Sequence, residues 1–228
     1  PRGGPYEAWR RRTVKKRLVL LAAAASALAG YFRFVRPWHL RWGATDEELQ
    51  RRLPGDDNVP EPLLDTTRAV TIAAPADQVW PWLMQIGQRR AGFYSYAWLE
   101  NAFGCDMHNA DRIVPEWQRL EVGDEVWLHP KAPPLKVVEV VPGRSIVLGD
   151  DWSFHVEPID SQTSRLIVRS RGTYTYPDLK LDPLNFLYWR GIFEPAHFIM
   201  ERKMMLGIKD RAERAYAQSK EMMASPVL

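Results

Sequence analysis

The chain has 228 residues and a formal net charge of +3, yet residues 1–42 alone carry ten basic side chains against one acidic. Removing those from the chain's 31 basic and 28 acidic residues leaves positions 43–228 at net −6, so the basic balance belongs to the N-terminus only. A basic run that abuts an apolar stretch and precedes an acidic domain argues for a membrane flank and against nucleic acid, and a single cysteine, Cys105, excludes an intrachain disulfide framework or a multi-cysteine zinc site.

Residues 1–17 form the basic segment, and an uncharged apolar run follows from Leu18 to Phe32. As a helix those fifteen residues span about 22 Å, short of the roughly 30 Å hydrocarbon core. Extension to Val35 gives about 27 Å if Arg33 snorkels. Residues 18–35 are therefore read as a single-pass transmembrane helix. Trp9 lies on one side and Tyr31, Phe32, Trp38 and Trp42 on the other, as in an interfacial aromatic belt. A cleaved signal peptide, with Ala27-Leu28-Ala29 as the small-x-small site, and an interfacial or buried helix are the competing readings. The stronger basic flank precedes the run, which favours a cytoplasmic N-terminus. The chain does not begin with Met, which reads as a fragment or a processed product.

Residues 36–64 read as a linker. An acidic patch (Asp46, Glu47, Glu48) and Pro54-Gly55-Asp56-Asp57 predict extended loop, with one short helix over 45–52 capped by Thr45 or Asp46. Residues 65–218 make one domain, and 219–228 a tail. The domain opens with a strand at 67–73, Val70 and Ile72 sharing a face. A helix starts at Ala74-Pro75, its stripe Val79, Leu83 and Ile86, with Pro81 inside it. A second short helix covers 96–103. Strands follow at 125–129, 135–141, 145–148, 152–157 and 165–171. Trp152, Phe154 and Val156 face one way and Ser153, His155 and Glu157 the other, which predicts an antiparallel sheet with one buried and one wet face. A long helix over 185–218 places Phe186, Trp189, Phe193, His197, Met200, Met204 and Ile208 on one stripe, with Glu194, Glu201 and Arg202 off it and a bend or restart at Pro195.

This order, with Ala74-Pro75-Ala76-Asp77-Gln78-Val79-Trp80-Pro81-Trp82-Leu83 entering the first helix, resembles the helix-grip (SRPBCC, START-like) superfamily of lipid-transfer domains, polyketide cyclases and plant allergen-type carriers. The stretch from Gly92-Phe93-Tyr94-Ser95-Tyr96 through Gly104-Cys105-Asp106 and Asn109-Ala110-Asp111-Arg112 to Pro115-Glu116-Trp117 is similar to a bacterial membrane-associated subgroup. The resemblance implies an α+β fold in which a curved antiparallel sheet grips the C-terminal helix and encloses a cavity for a hydrophobic molecule. No cyclase-type catalytic set matches residue by residue, so no catalytic residue is assigned.

Tyr94, Trp98 and Trp117 cluster around the second helix, as a pocket wall or a satellite core. His108 and Asp111 stand in a charged loop with Asp106, Arg112 and Glu116, either as a base with its orienting carboxylate or as a staple. His197 is a polar group on an apolar stripe, with Met200 and Met204 a turn or two along, suited to orienting a ligand. His155 and His129 read as surface residues. Cys105-x-x-His108 and Glu194-x-x-His197 supply too few ligands for a metal, and no cofactor motif is present. The expected activity is binding or transfer of a hydrophobic small molecule or lipid near a membrane. A cyclase- or dehydratase-type enzyme is the alternative.

Overall fold

The structure is a computed structural model that describes residues 5–172 and 183–224. The chain forms two units, Pro1–His39 and Leu40–Leu228.

The first unit is helical: α1 (Pro5–Gly30), a π-helical turn (Tyr31–Val35) and the start of α2 (Arg36–Leu40). The stretch Arg12–Leu40 is long and apolar enough to cross a membrane. Its apolar side chains point outward, Leu18, Val19, Leu20 and Leu21 being 60–69% exposed. The π turn has a local cause. Pro37 lacks the N–H that would reach the Arg33 carbonyl, and the residue before it, Arg36, donates instead to the Tyr31 carbonyl, five positions back.

The second unit opens with α3 (Asp46–Gln50) and is built on a six-stranded antiparallel sheet of β1 (Leu64–Ile72), β2 (Glu125–Val126), β3 (Leu135–Val141), β4 (Ser145–Leu148), β5 (Trp152–Pro158) and β6 (Ser164–Gly172), in the order β1-β6-β5-β4-β3-β2. Between β1 and β2 come α4 (Ala76–Met84) and α5 (Ala97–Ala102). After β6 come α6 (Pro183–Tyr188), a second π turn (Trp189–Phe193) and α7 (Glu194–Ala224). This is an α+β helix-grip arrangement. Trp152, Phe154 and Val156 do share one face. They meet Val79 and Leu83 of α4 and Met204, Met205 and Ile208 of α7 in a single core. Pro195 produces the π turn before α7, with the Glu194 N–H reaching back to Trp189 just as Arg36 does ahead of Pro37.

Two expectations are corrected here. Over β5 and β6 the outer face of the sheet is not wet. Residues 43–63, expected as an extended linker, form a strap folded over it. Leu53 packs on Ala69 of β1 and Ile167 of β6, and the arginines that share the outward face of β6 with Ile167 hold the strap down. Arg165 forks onto Glu48 at 2.7 and 2.9 Å. Arg169 donates to Asp56 (2.6 Å), to the Arg51 carbonyl (2.9 Å) and to Thr67 Oγ1 (2.9 Å). His155 is consequently buried, 3% exposed, rather than on the surface. Burial, with the Arg169 and Arg51 cations nearby, pushes its pKa down to about 4. Thr45 caps α3 in a reciprocal box with Glu48, each side chain taking the other's backbone N–H. The strap begins at Gly43, whose positive φ of 73° brings it so close to the Ala69 carbonyl that a Cβ has no room.

The second correction concerns α7. Its buried face runs through Glu194, Phe198, Glu201, Met204, Met205, Gly207, Ile208 and Ala212: Met204 and Ile208 lie on the expected stripe, while in the N-terminal turns Glu194, Phe198 and Glu201 take the place of Phe193, His197 and Met200, one position round. Two glutamates therefore point inward, and each is neutralised: Glu194 by Arg190 one turn earlier, Glu201 by Arg68 of β1.

Candidate functional site

The inner face of β1 alternates Leu64, Thr66, Arg68, Val70 and Ile72, so a cation stands in a row of apolar neighbours. Strand register aligns Thr66 with Ser170 and Trp152, and Arg68 with Val168 and Phe154. Above these two rows lies Glu201 of α7. Its Oε1 accepts from Trp152 Nε1 at 3.0 Å and from Ser170 Oγ at 3.4 Å, while its Oε2 takes Arg68 Nη1. Both oxygens are thus occupied by donors from three different strands. Arg68 is fully buried and Glu201 is 3% exposed.

His197, one turn before Glu201, closes the cluster. Its Nδ1 lies 3.4 Å from Arg68 Nη1 and its Nε2 3.8 Å from Glu201 Oε1. That arrangement suits a neutral imidazole accepting at Nδ1 and pointing its Nε2–H at the carboxylate. Burial and the Arg68 cation together lower the His197 pKa, outweighing the Glu201 charge. Burial opposes the Glu201 charge, but Arg68, His197 and the Trp152 hydrogen bond hold its carboxyl below the usual range. Aromatic rings wall the cluster. Phe198 lies under the Arg68 guanidinium at 5.2 Å, Phe193 stacks on His197, and Phe93 stacks on Trp152.

Thr66 lies in the same layer, paired in register with Ser170. Thr66 is 1% exposed and its hydroxyl makes no hydrogen bond. A buried, unsatisfied hydroxyl costs about 1–3 kcal/mol unless something completes it. The Arg68 and Glu201 charges oppose one another, and the Thr66 hydroxyl can give and accept a hydrogen bond with a hydroxyl or carbonyl.

The residues singled out from the sequence are distributed differently. Of the eight, His197 alone joins this cluster. Tyr94 is buried in the core at positive φ (57°), its hydroxyl donating to the Trp82 carbonyl (3.1 Å) and accepting from Gln85 (2.9 Å); burial raises its pKa. Asn109 holds the Tyr94 N–H at 2.8 Å and donates to the Ser95 carbonyl at 3.0 Å, so the motif joining these loops acts as a staple. Ser95 Oγ in turn donates to the Met200 carbonyl at 3.0 Å, tying this loop to α7. Trp98 is 72% exposed. His108 and Asp106 form an exposed pair 3.0 Å apart, and Asp111 reaches Arg211 at 2.7 Å on the surface. Trp117 packs against the core edge, its carbonyl taking Arg90. Met204 is core, 2% exposed. Among the described residues no three His, Cys, Asp or Glu side chains come together as a metal site.

Arg68, Glu201, Trp152, Ser170 and Thr66 escape a reading by residue type. Two signals point to them. Arg68 shares strand parity with Val70 and Ile72, and Glu201 stands four residues after His197 on the same helix.

No protein-family model and no curated protein matches the chain. Several solved structures show similarity. A polyketide-cyclase-like protein from Corynebacterium glutamicum is 17% identical, over 72% of this chain and 96% of that one, with a TM-score of 0.32. A conserved protein of unknown function from Enterococcus faecalis is 10% identical over 75% and 96%, also at 0.32. A Bacillus halodurans protein is 18% identical over 68% and 98%, with a TM-score of 0.33.

Proposed function

We propose that the protein is a membrane-tethered helix-grip domain that binds or transfers a hydrophobic small molecule or lipid, its anchor being residues 18–35 and its N-terminus cytoplasmic. The observation that carries this reading is the polar cluster of Arg68, Glu201 and His197 between sheet and α7, with the Thr66 hydroxyl left unsatisfied beside it. A layer filled for stability alone would be apolar there, because a buried ion pair rarely adds stability over well-packed hydrophobic residues. A ligand whose apolar body lies along the greasy faces and whose hydroxyl or carbonyl meets Thr66 and His197 gives the cluster a use.

The test is purification in mild detergent, organic extraction and mass spectrometry of what is released, followed by binding of labelled lipids and isoprenoids. A copurifying apolar molecule with one neutral polar end is expected, and Thr66→Val should weaken its retention by about tenfold. Absence of any copurifying molecule, together with no binding across the panel, overturns the reading.

A further inference from the structure

The N-terminal half of α7 carries an exposed stripe on the side away from its buried face. Ile192, Ala196, Ile199 and Lys203 recur at spacings of four, three and four, so they share one side of the helix. Ile192 is 61% exposed and Ile199 51%, and Leu187 and Tyr188 just before them are 42% and 49% exposed. At its far end the stripe meets α5. Lys203 lies over the Tyr96 ring at 5.7 Å, and Tyr96 packs edge-on with Trp98, which is 72% exposed. Single apolar side chains on a surface are ordinary; a run of them bordered by aromatic rings marks an interaction face. The charge on this face has one sign. From Pro183 to Ile208 the carboxylates are Glu194 and Glu201, both buried and both paired, with Arg190 and Arg68. The charges left to the surface are those of Arg202 and Lys203. Arg202 lies over the Trp42 ring at 4.9 Å, and Trp42 packs edge-on against Phe198 at 6.3 Å. Trp42 stands two residues past Leu40, the last residue of the stretch long and apolar enough to cross a membrane. Two residues reach about 7 Å at most, so a chain leaving the bilayer at Leu40 is pinned to α7 at once.

We propose that this stripe docks on the surface of an anionic bilayer, with Tyr188, Ile192, Ile199 and Trp98 entering the boundary between headgroups and acyl chains. Arg202 and Lys203 then pair with lipid phosphates. The inference rests on the reading of residues 18–35 as an anchor, and adds a second, separate contact with the membrane. Aliphatic and aromatic side chains backed by cations suit that boundary, where rings lie at headgroup level and cations reach up to phosphate. The patch is small, but the tether makes its docking intramolecular, so a weak intrinsic affinity suffices. Docking also fixes which side of the domain meets lipid, where an anchor alone leaves the domain free to turn.

The experiment is lipid quenching of a fluorophore placed at single cysteines in the full chain. In a Cys105→Ser background, Leu28→Cys reports on the anchor, Ile199→Cys and Ile192→Cys on the stripe, and Ile159→Cys on a control position. Ile159 is 56% exposed and follows Pro158 at the Ser164 end of the sheet, whereas Arg190 ties the start of α7 to Leu63 at the other end. The labelled chains are reconstituted into vesicles of phosphatidylcholine, alone or mixed with phosphatidylglycerol, carrying nitroxide-labelled lipid, with circular dichroism confirming the fold. Quenching is expected at Leu28 and at both stripe positions, and not at Ile159. Arg202→Glu/Lys203→Glu, omission of phosphatidylglycerol or high salt should each lower the stripe quenching by about twofold or more and leave Leu28 unchanged. Quenching at Leu28 with none at the stripe overturns the docking and leaves the anchor standing. Quenching at the stripe with none at Leu28 supports the docking and overturns the anchor. A stripe label whose emission shifts to the blue without lipid quenching assigns the face to a protein contact, and overturns the proposal too.

Discussion

Gly207 of α7 faces the backbone of Tyr94 so closely that a Cβ would overlap the Tyr94 carbonyl oxygen and come within 2.9 Å of its Cβ. The helix can lie this deep only because position 207 has no side chain, and the Tyr94 loop is fixed from the other side by Asn109. Gly207→Ala should therefore destabilise the domain by about 1–3 kcal/mol, the usual cost of overpacking, despite alanine's better helix propensity. Gly191→Ala, where the nearest contact is an ordinary 3.4 Å to Leu187, should be close to neutral. Urea denaturation of both variants is the check; equal midpoints mean the contact yields without cost.

Breaking the Arg68–Glu201 pair from one side leaves an uncompensated charge in a buried layer. Arg68→Met and Glu201→Gln should each cost about 3–5 kcal/mol. The double variant Arg68→Met/Glu201→Leu should recover much of that loss, because it removes both charges together. A double variant as unstable as the sum of the singles argues that the two groups are not coupled.

His155 makes stability depend on pH in a definite direction. Its folded pKa, about 4, lies below its ordinary 6.5, so the unfolded chain binds the proton more readily. Its contribution is fully present above pH 6.5 and falls as pH drops towards 4, by about 3 kcal/mol in total. His197 acts in the same sense. Glu48 and Glu201, both lowered, lose their contribution only below the carboxylate range, which separates the two limbs. His155→Gln retains a partner for Ser153 and should flatten the curve between pH 6.5 and 4.5. Unchanged parent and variant slopes would refute this assignment.

The strap separates two adjacent aspartates by burial. Asp56 is 6% exposed and holds both Arg169 and the Leu53 N–H. Asp57 next to it forms an ion pair with Arg52 in solvent. Asp56→Ala should cost about 3 kcal/mol or more, leaving Arg169 buried and short of an anion. Asp57→Ala should leave the midpoint unmoved, as exposed pairs commonly do. Hydrogen exchange at the Ala69 amide, which donates to the Trp42 carbonyl at 3.1 Å, should accelerate in the first variant only.

Where local chemistry decides, the sequence was readable. The cap at Thr45 follows from Thr and Glu three apart, and the inner sheet face from period-two alternation over 152–156. The residues of α4 and the strand order after it are legible for the same reason. What escapes are pairings across long separations. An arginine in a strand reads as outward, and the carboxylate that compensates Arg68 inside, Glu201, comes 133 positions later. The strap reads as linker because prolines and acids suit a loop; the arginines of β6 that fix it lie more than a hundred residues away. The aromatic and charged loop residues were visible by type, but type does not distinguish a buried staple such as Tyr94 from an exposed tryptophan such as Trp98.

The strap also decides what a protease could release. β1 is an edge strand, and the Trp42 carbonyl closes part of that edge while Leu53 shields Ala69 and Ile167. A cut within residues 43–63 would not release an intact domain. It would bare an unpaired strand and an apolar sheet face at once, the conditions for edge-to-edge aggregation. The strap is thus part of the folded domain, and a cleavage that left the sheet covered would have to fall outside residues 43–63.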